Sequence, residues 1–271
     1  MKGVIPRSLW DDVGTNEQGL SDLLALGFSK EDSDNPKPIS LIRRMLQFTT
    51  TKETNNLVLD FFAGSGTTAQ AVLELNEEDG GNRKFICVQL PEPLEEKSEA
   101  YKAGYRTIAD ICEARIQKVI AKLQAARAKE LPLEVKQPLG FQSFKLAPSN
   151  FKAWRDDVEG EELLKQLEIF RQSKKDGSAE ENMLVELLLK SGLPLTVKIK
   201  PVKIGRQTAY VVEEGRLFVF FEAYEKAIKE FIHEKPPKHV VCLDGVFKGR
   251  DEDLSNFKLE LKEAGIELTI I

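Results

Sequence analysis

Histidine is nearly missing from this chain: His233 and His239 are the only two in 271 residues. Both lie in charged or loop-like text, so a Ser-His or Cys-His nucleophile has no support. Cysteine is equally sparse. Cys87, Cys112 and Cys242 are far apart, and no pair has metal-ligand spacing, so a zinc site has no support. Their apolar neighbours predict buried thiols in a reducing compartment. No run is long and apolar enough to cross a bilayer and the start is not signal-like, so the expectation is a cytoplasmic protein with no membrane partner. Positive charge is also short: 39 Lys and Arg against 44 Asp and Glu leave a net charge of −5. Bulk electrostatics therefore cannot hold DNA, and any nucleic-acid contact must come from local basic patches or from protein outside this sequence.

What is present is an ordinary globular composition, 41% hydrophobic and 31% charged, with length for two domains and no internal repeat. The most informative stretch is Leu57-Val58-Leu59-Asp60-Phe61-Phe62-Ala63-Gly64-Ser65-Gly66-Thr67-Thr68-Ala69. An apolar run ending in an acid predicts a buried strand, and the glycines permit a sharp turn and close approach of a ligand to backbone. From Thr67 a helical pattern begins, with Ala71, Val72 and Leu75 on one side. Such a helix start gathers unpaired amides and the positive dipole end, which suits an anionic or polar small molecule. The spacing is Gly-x-Gly without the third glycine of the dinucleotide fingerprint, and no phosphate-loop lysine follows.

Upstream, Leu20 to Leu26 suggests a short helix. Pro38 can start another that carries Ile39, Ile42, Met45 and Leu46, with Arg43 and Arg44 on its solvated side or on a phosphate. Downstream, Lys84 to Leu90 predicts a second strand, parallel to the first because a helix intervenes. Gln89 stands at its end, where it could meet a ribose or cap a turn. Thr107 and Asp110 have the form of a capping box, opening a long helix to about Lys129 with Ile111, Cys112, Ile116, Val119 and Leu123 on its apolar face. Glu130 to Gly140 reads as a linker. Beyond it, Phe141 to Leu146 alternates like a half-buried strand, and two helical patterns follow, the better one at Glu180–Lys190. Strand-like text at 195–202, 208–212, 216–221, 240–244 and 266–271 alternates with helices at 223–232 and 251–264, giving a mixed sheet. Asp244 and Asp251 fit a strand end and a helix start better than a metal, and Lys248-Gly249-Arg250 is a basic loop.

The string Asp60-Phe61-Phe62-Ala63-Gly64-Ser65-Gly66-Thr67-Thr68 resembles the S-adenosylmethionine motif of amino-methylating DNA methyltransferases. Pro36-Lys37-Pro38, Gln89-Leu90-Pro91-Glu92-Pro93, Thr107-Ile108-Ala109-Asp110-Ile111, Leu189 to Leu193 and Val240 to Asp244 extend the likeness. Together they resemble the C-terminal portion of the modification (Mod) subunit of type III restriction-modification systems, adenine-specific methyltransferases of the permuted β class. Gln89 suits that family while departing from the acid usual in methyltransferases at large.

The resemblance implies an α/β fold: a partial Rossmann-like methyltransferase core, the cofactor-binding half, at 1–135, then a smaller α/β or α+β domain at 141–271. It implies S-adenosylmethionine as cofactor. Asp60 would receive the methionine amino group or order the turn, and the Ala63, Gly64, Ser65 and Gly66 amides would cradle the amino-acid part. Thr67 and Thr68 would bond its carboxylate, Lys37 and Pro38 would line the methionine side, and Gln89 the ribose. Phe61 and Phe62 belong to the same cofactor-binding string. The family's Asp-Pro-Pro-Tyr motif, which takes a flipped adenine, has no counterpart here: Lys235 and Lys238 flank the only Pro-Pro pair, Pro236-Pro237. The expectation is a chain inactive alone, touching DNA only within an intact enzyme and associating with the missing catalytic half, a restriction subunit or a second copy. A non-catalytic assembly module is the rival reading.

Overall fold

The computed structural model describes residues 9–30, 35–129, 138–151, 175 and 177–271. Two compact units divide between Ser143 and Phe144. The first is built around α1 (Asn16–Leu24), α2 (Ile39–Thr49), β1 (Leu57–Asp60), α3 (Thr67–Asp79), β2 (Lys84–Cys87), α4 (Glu99–Lys102) and α5 (Ile108–Arg127). β1 and β2 pair in parallel, Leu57 opposite Lys84 through Asp60 opposite Cys87, with α3 as the crossover. The expected β–turn–α–β order is present, though the second strand ends at Cys87 rather than Leu90.

α5 starts where the capping box places it. The Thr107 hydroxyl accepts from Asp110 N at 3.2 Å and the Asp110 carboxylate accepts from Thr107 N at 2.9 Å, so two orphan donors at the helix start are satisfied reciprocally. α3 is buried along its first nine positions save Glu74: α5 covers one side through Ala69, Leu73, Cys112, Ile116 and Val119, and α2 covers another through Ile39, Leu46, Val72 and Leu75. Arg43 pairs with Glu78 of α3, tying α2 to α3, and Arg44 pairs at 2.6 Å with Asp12 in the segment before α1, so neither side chain stands free.

One expectation fails in an informative way. β1 is not buried on both faces. Side chains alternate across a strand, and Val58 and Phe85 turn into the core while Leu57 and Leu59 are 59% and 48% exposed. Ile86 and Val88, each 46% exposed, continue this open apolar face, which no layer among the described residues covers. The thiols follow suit: Cys112 and Cys242 are buried and Cys87 only partly so. Burial pushes them up to about 11 for Cys112 and about 12 for the other two, so all three stay protonated.

The second unit holds α6 (Glu180–Lys190), β3 (Ile199–Ile204), β4 (Gln207–Val212), β5 (Leu217–Phe220), α7 (Lys226–Glu234), β6 (His239–Cys242), α8 (Asp251–Glu263) and β7 (Glu267–Ile270). The five strands lie in sequence order. β3–β4–β5 are antiparallel neighbours, and β5–β6–β7 run parallel because α7 and α8 carry the chain back. Every residue of central β5 is buried. Phe218 stacks on Phe231 of α7 at 5.4 Å and Phe220 meets Phe257 of α8 edge-on at 6.4 Å, so alternate β5 residues carry both helices on one face. Asp251 begins α8 as expected, whereas β6 ends at Cys242 and Asp244 opens a short 3-10 turn beyond it; Arg250 of the basic loop is tied to Tyr224 O at 2.6 Å.

The strand expected over Phe141–Leu146 is absent. Phe141 packs with Leu139 onto the first unit's core, whereas Phe144 and Leu146 are exposed, so the alternation finds no partner strand. The first of the two helical patterns after it, with Lys152-Ala153-Trp154 and most of the linker, lies outside the described residues.

Glu186 of α6 ties residues 149–151 to the helix. Its carboxylate accepts from Asn150 N at 2.7 Å, from Asn150 Nδ2 at 3.0 Å and from the Ser149 hydroxyl, and pairs with Lys190 at 3.0 Å. Burial raises this carboxyl, but the hydrogen bonds from Ser149, Asn150 and Lys190 outweigh it and bring it down to about 2. A depressed carboxyl stabilises the fold fully above its unfolded value of about 4.3 and loses that contribution as pH falls through the folded value. Urea midpoints of the wild type are therefore expected to fall more steeply from pH 5 to pH 2.5 than those of Glu186→Gln; parallel pH profiles would refute the linkage.

Candidate functional site

The turn from Asp60 to Thr67 is built from the end of β1, and its first job is to satisfy itself. The Asp60 carboxylate accepts from Phe62 N at 3.0 Å through one oxygen and from the Thr68 hydroxyl at 2.5 Å through the other, pinning the turn to the first turn of α3. Ala63 N donates to Val88 O at 3.2 Å, Gly64 N to the Gln89 side-chain oxygen at 2.8 Å, and Gly66 N to Ala63 O at 2.8 Å. Gly64 and Gly66 both have positive φ, +52° and +84°. Gly66 is required twice over, because a Cβ there would sit 3.0 Å from Cys112 Sγ and 3.3 Å from Cys112 O. The close seating of α5 behind the turn depends on that missing carbon.

These bonds redistribute the roles the resemblance implies. Of the four amides expected to cradle a ligand, those of Ala63, Gly64 and Gly66 are already spent. Ser65 N, together with Thr67 N and Thr68 N at the start of α3, has no protein acceptor among the described residues. Asp60 orders the turn with both oxygens, one of its two expected roles. Gln89 caps the turn with its oxygen and gives its amide to Leu90 O at 3.2 Å, which is its turn-capping alternative. The Thr68 hydroxyl is committed to Asp60. The Thr67 hydroxyl lies 3.4 Å from Lys37 O, long for an O–H donor, and this contact places the Lys37–Pro38 segment beside the turn. Pro38 precedes α2 with φ −68° and stands at its N-cap. Phe61 and Phe62 are 64% and 88% exposed, two aromatic faces open beside the donors.

Behind the turn lies a residue the motif does not contain. Arg115 of α5 is completely buried. Its Nε donates to Gln70 Oε1 at 2.7 Å, and its Nη1 to Ser65 Oγ at 3.0 Å and Thr67 Oγ1 at 2.9 Å. Burial lowers it to about 10, with Asp22, Cys112 and Glu74 acting the other way, so it remains charged at neutral pH. The sequence did hold a signal for it: Arg115 interrupts the apolar stripe of Ile111, Cys112, Ile116 and Val119, where a solvated arginine has no place.

Residues 2–102 match the family described as DNA methylase. The Mod subunit of the type III restriction-modification enzyme StyLTI from Salmonella typhimurium is 31% identical over 82% of this chain and 36% of that protein. The EcoPI Mod subunit of Escherichia phage P1 is 34% identical over 79% of this chain and 31% of its own length. The type II methyltransferase M.KpnI of Klebsiella pneumoniae is 36% identical over 44% of this chain and 28% of that protein. The chain spans about a third of the length of the curated relatives it matches.

Proposed function

From the DNA methylase match over residues 2–102 and the similarity to type III Mod subunits, we propose that this chain supplies the S-adenosylmethionine-binding half-site of an adenine methyltransferase. The observation that carries this reading is the donor set at the mouth of the turn. Ser65 N, Thr67 N and Thr68 N are free among the described residues, aligned with the positive end of a 13-residue helix, and framed by Phe61, Phe62 and the Lys37–Pro38 segment. Such a set suits the amino-acid end of the cofactor, and the open aromatic faces suit its apolar part. Asp60 and Gln89 then serve as the scaffold of the half-site, holding the turn while the amides do the binding.

The Rossmann-like core of which β1–α3–β2 would be part needs further strands. Without an Asp-Pro-Pro-Tyr motif, the chain has no group to orient a flipped adenine amine, so methyl transfer would need a catalytic half from another chain or another segment. DNA and a restriction subunit are partners on the same footing, through the intact enzyme. Isothermal titration with S-adenosylmethionine and S-adenosylhomocysteine tests the reading: saturable one-to-one binding is expected, without methylation of adenine-containing DNA. No heat at millimolar ligand would sink it.

The rival, a module that only assembles a complex, draws on the open face of Leu57, Leu59, Ile86 and Val88 and on two strands that pair only with each other among the described residues. An uncovered apolar face of this kind is an interaction surface, and unpaired strand edges add hydrogen-bonding capacity to it. The two readings are compatible if the face seats the catalytic half. Analytical ultracentrifugation is expected to show concentration-dependent association of the chain, reduced in Leu59→Lys at an unchanged melting temperature. A monodisperse wild-type monomer at high concentration would refute self-association through this face.

A further inference from the structure

A buried arginine without a carboxylate is costly, because desolvating a cation is repaid only by opposite charge or complete hydrogen bonding. Arg115 has neither. All three of its hydrogen-bond acceptors, Gln70, Ser65 and Thr67, are neutral, and its Nη2 is buried with no acceptor among the described residues. Asp22 and Glu74 are near enough to act on its charge, but neither forms an ion pair with it. Gln70 in turn gives its amide to Glu74 at 2.9 Å, so the nearest carboxylate is engaged through a neutral intermediary.

The direction of the bonds matters more than their number. A guanidinium can only donate, so Ser65 Oγ and Thr67 Oγ1 must accept from it, and each hydroxyl is left with its own single proton to give. Ser65 has no other side-chain bond among the described residues, and Thr67 has only the 3.4 Å contact to Lys37 O. Add the Ser65, Thr67 and Thr68 amides, free among the described residues, and the turn presents donors, backed by a buried positive charge that forms no ion pair among the described residues. The complementary ligand group accepts only and carries negative charge. Of the groups on S-adenosylmethionine, the carboxylate alone meets both conditions.

We propose that Arg115 is a positioning residue for carboxylate recognition, acting through the largely buried Ser65 and Thr67 hydroxyls, which accept from it and so keep their own protons to donate. This inference rests on the cofactor reading above, in which the resemblance already implies the carboxylate at Thr67, and adds the buried charge that acts from behind it. The ligand carboxylate never touches the guanidinium, which has no exposed surface; it meets the two hydroxyls and the amides, and Arg115 fixes their polarity from behind. Arg115→Lys would keep the charge but lose the fork that reaches both hydroxyls at once.

The test is calorimetric titration of the full chain and its variants with two ligands: S-adenosylhomocysteine, and 5′-methylthioadenosine, which lacks the amino acid and its carboxylate. Arg115→Gln is expected to weaken S-adenosylhomocysteine at least tenfold and methylthioadenosine less than twofold, with Arg115→Lys recovering part of the loss. Equal losses for the two ligands, or no loss for either, would overturn the proposal while leaving the cofactor reading intact. If the wild type binds neither ligand, the cofactor reading falls and this inference with it. Should circular dichroism show Arg115→Gln unfolded, Thr67→Val carries the test: it removes one of the two hydroxyls and should cost S-adenosylhomocysteine about fivefold and methylthioadenosine nothing, whereas parallel losses would overturn the proposal.

Discussion

Gly66→Val is expected to destabilise the first unit by roughly 3 kcal/mol or more and to abolish ligand binding at the turn. Two penalties act together. Gly66 has φ +84°, where a β-branched residue is strained, and any Cβ there would press on Cys112 Sγ at 3.0 Å and Cys112 O at 3.3 Å. The second contact is backbone, so relief requires α5 to withdraw from α3. That would pull Arg115 away from Ser65 and Thr67. Gly80 is the control: it has φ +72° with nothing within 4 Å of its added Cβ, so Gly80→Ala should cost only about 1 kcal/mol, the conformational penalty alone. Thermal melts followed by circular dichroism compare the two. A Gly66→Val protein that melts within a few degrees of Gly80→Ala would show that α5 is not seated on the turn.

Phe220→Ala is expected to cost about 3–5 kcal/mol in the second unit. Phe220 is fully buried on the central strand β5, edge-on to Phe257 and beside Phe218 at 6.1 Å. Removing it opens a cavity beneath α8 that its fixed neighbours cannot fill, because the strands on either side are held by their ladders. Hydrogen exchange read by mass spectrometry should show faster exchange across β4, β5 and β6, while Leu146→Ala, at a fully exposed position, should change nothing measurable. Unchanged exchange in the three strands would mean that the aromatic cluster is not what holds the helices on the sheet.

How far the sequence could be read depends on the range of the interaction. The capping box at Thr107 and Asp110 is closed within four residues, so it was legible, and the structure contains both of its bonds. Thr67 as the helix start, the parallel β1–β2 pair and the bounds of α6 were legible for the same reason: local spacing and chain direction decide them. The strand at Phe141–Leu146 was misread because alternation is a local signal, while a strand needs a partner and Phe141 found the first unit's core instead. The apolar run of β1 reads as a buried strand because it records a preference for cover, not its presence, while the missing catalytic half leads one to expect the open apolar face that the strand has.

The site divides along the same line. The glycines, the acid at the end of β1 and the two threonines fix by themselves that this chain bends sharply there and starts a helix with free donors, since turn conformation and helix-start donors are properties of adjacent residues. Only the tertiary structure decides which of those donors remain to be used. Gly64 N is claimed by Gln89, 25 residues away, and the Ser65 and Thr67 hydroxyls accept from Arg115, 50 and 48 residues away. A hydrogen bond counts both its partners, and a sequence shows one of them at a time.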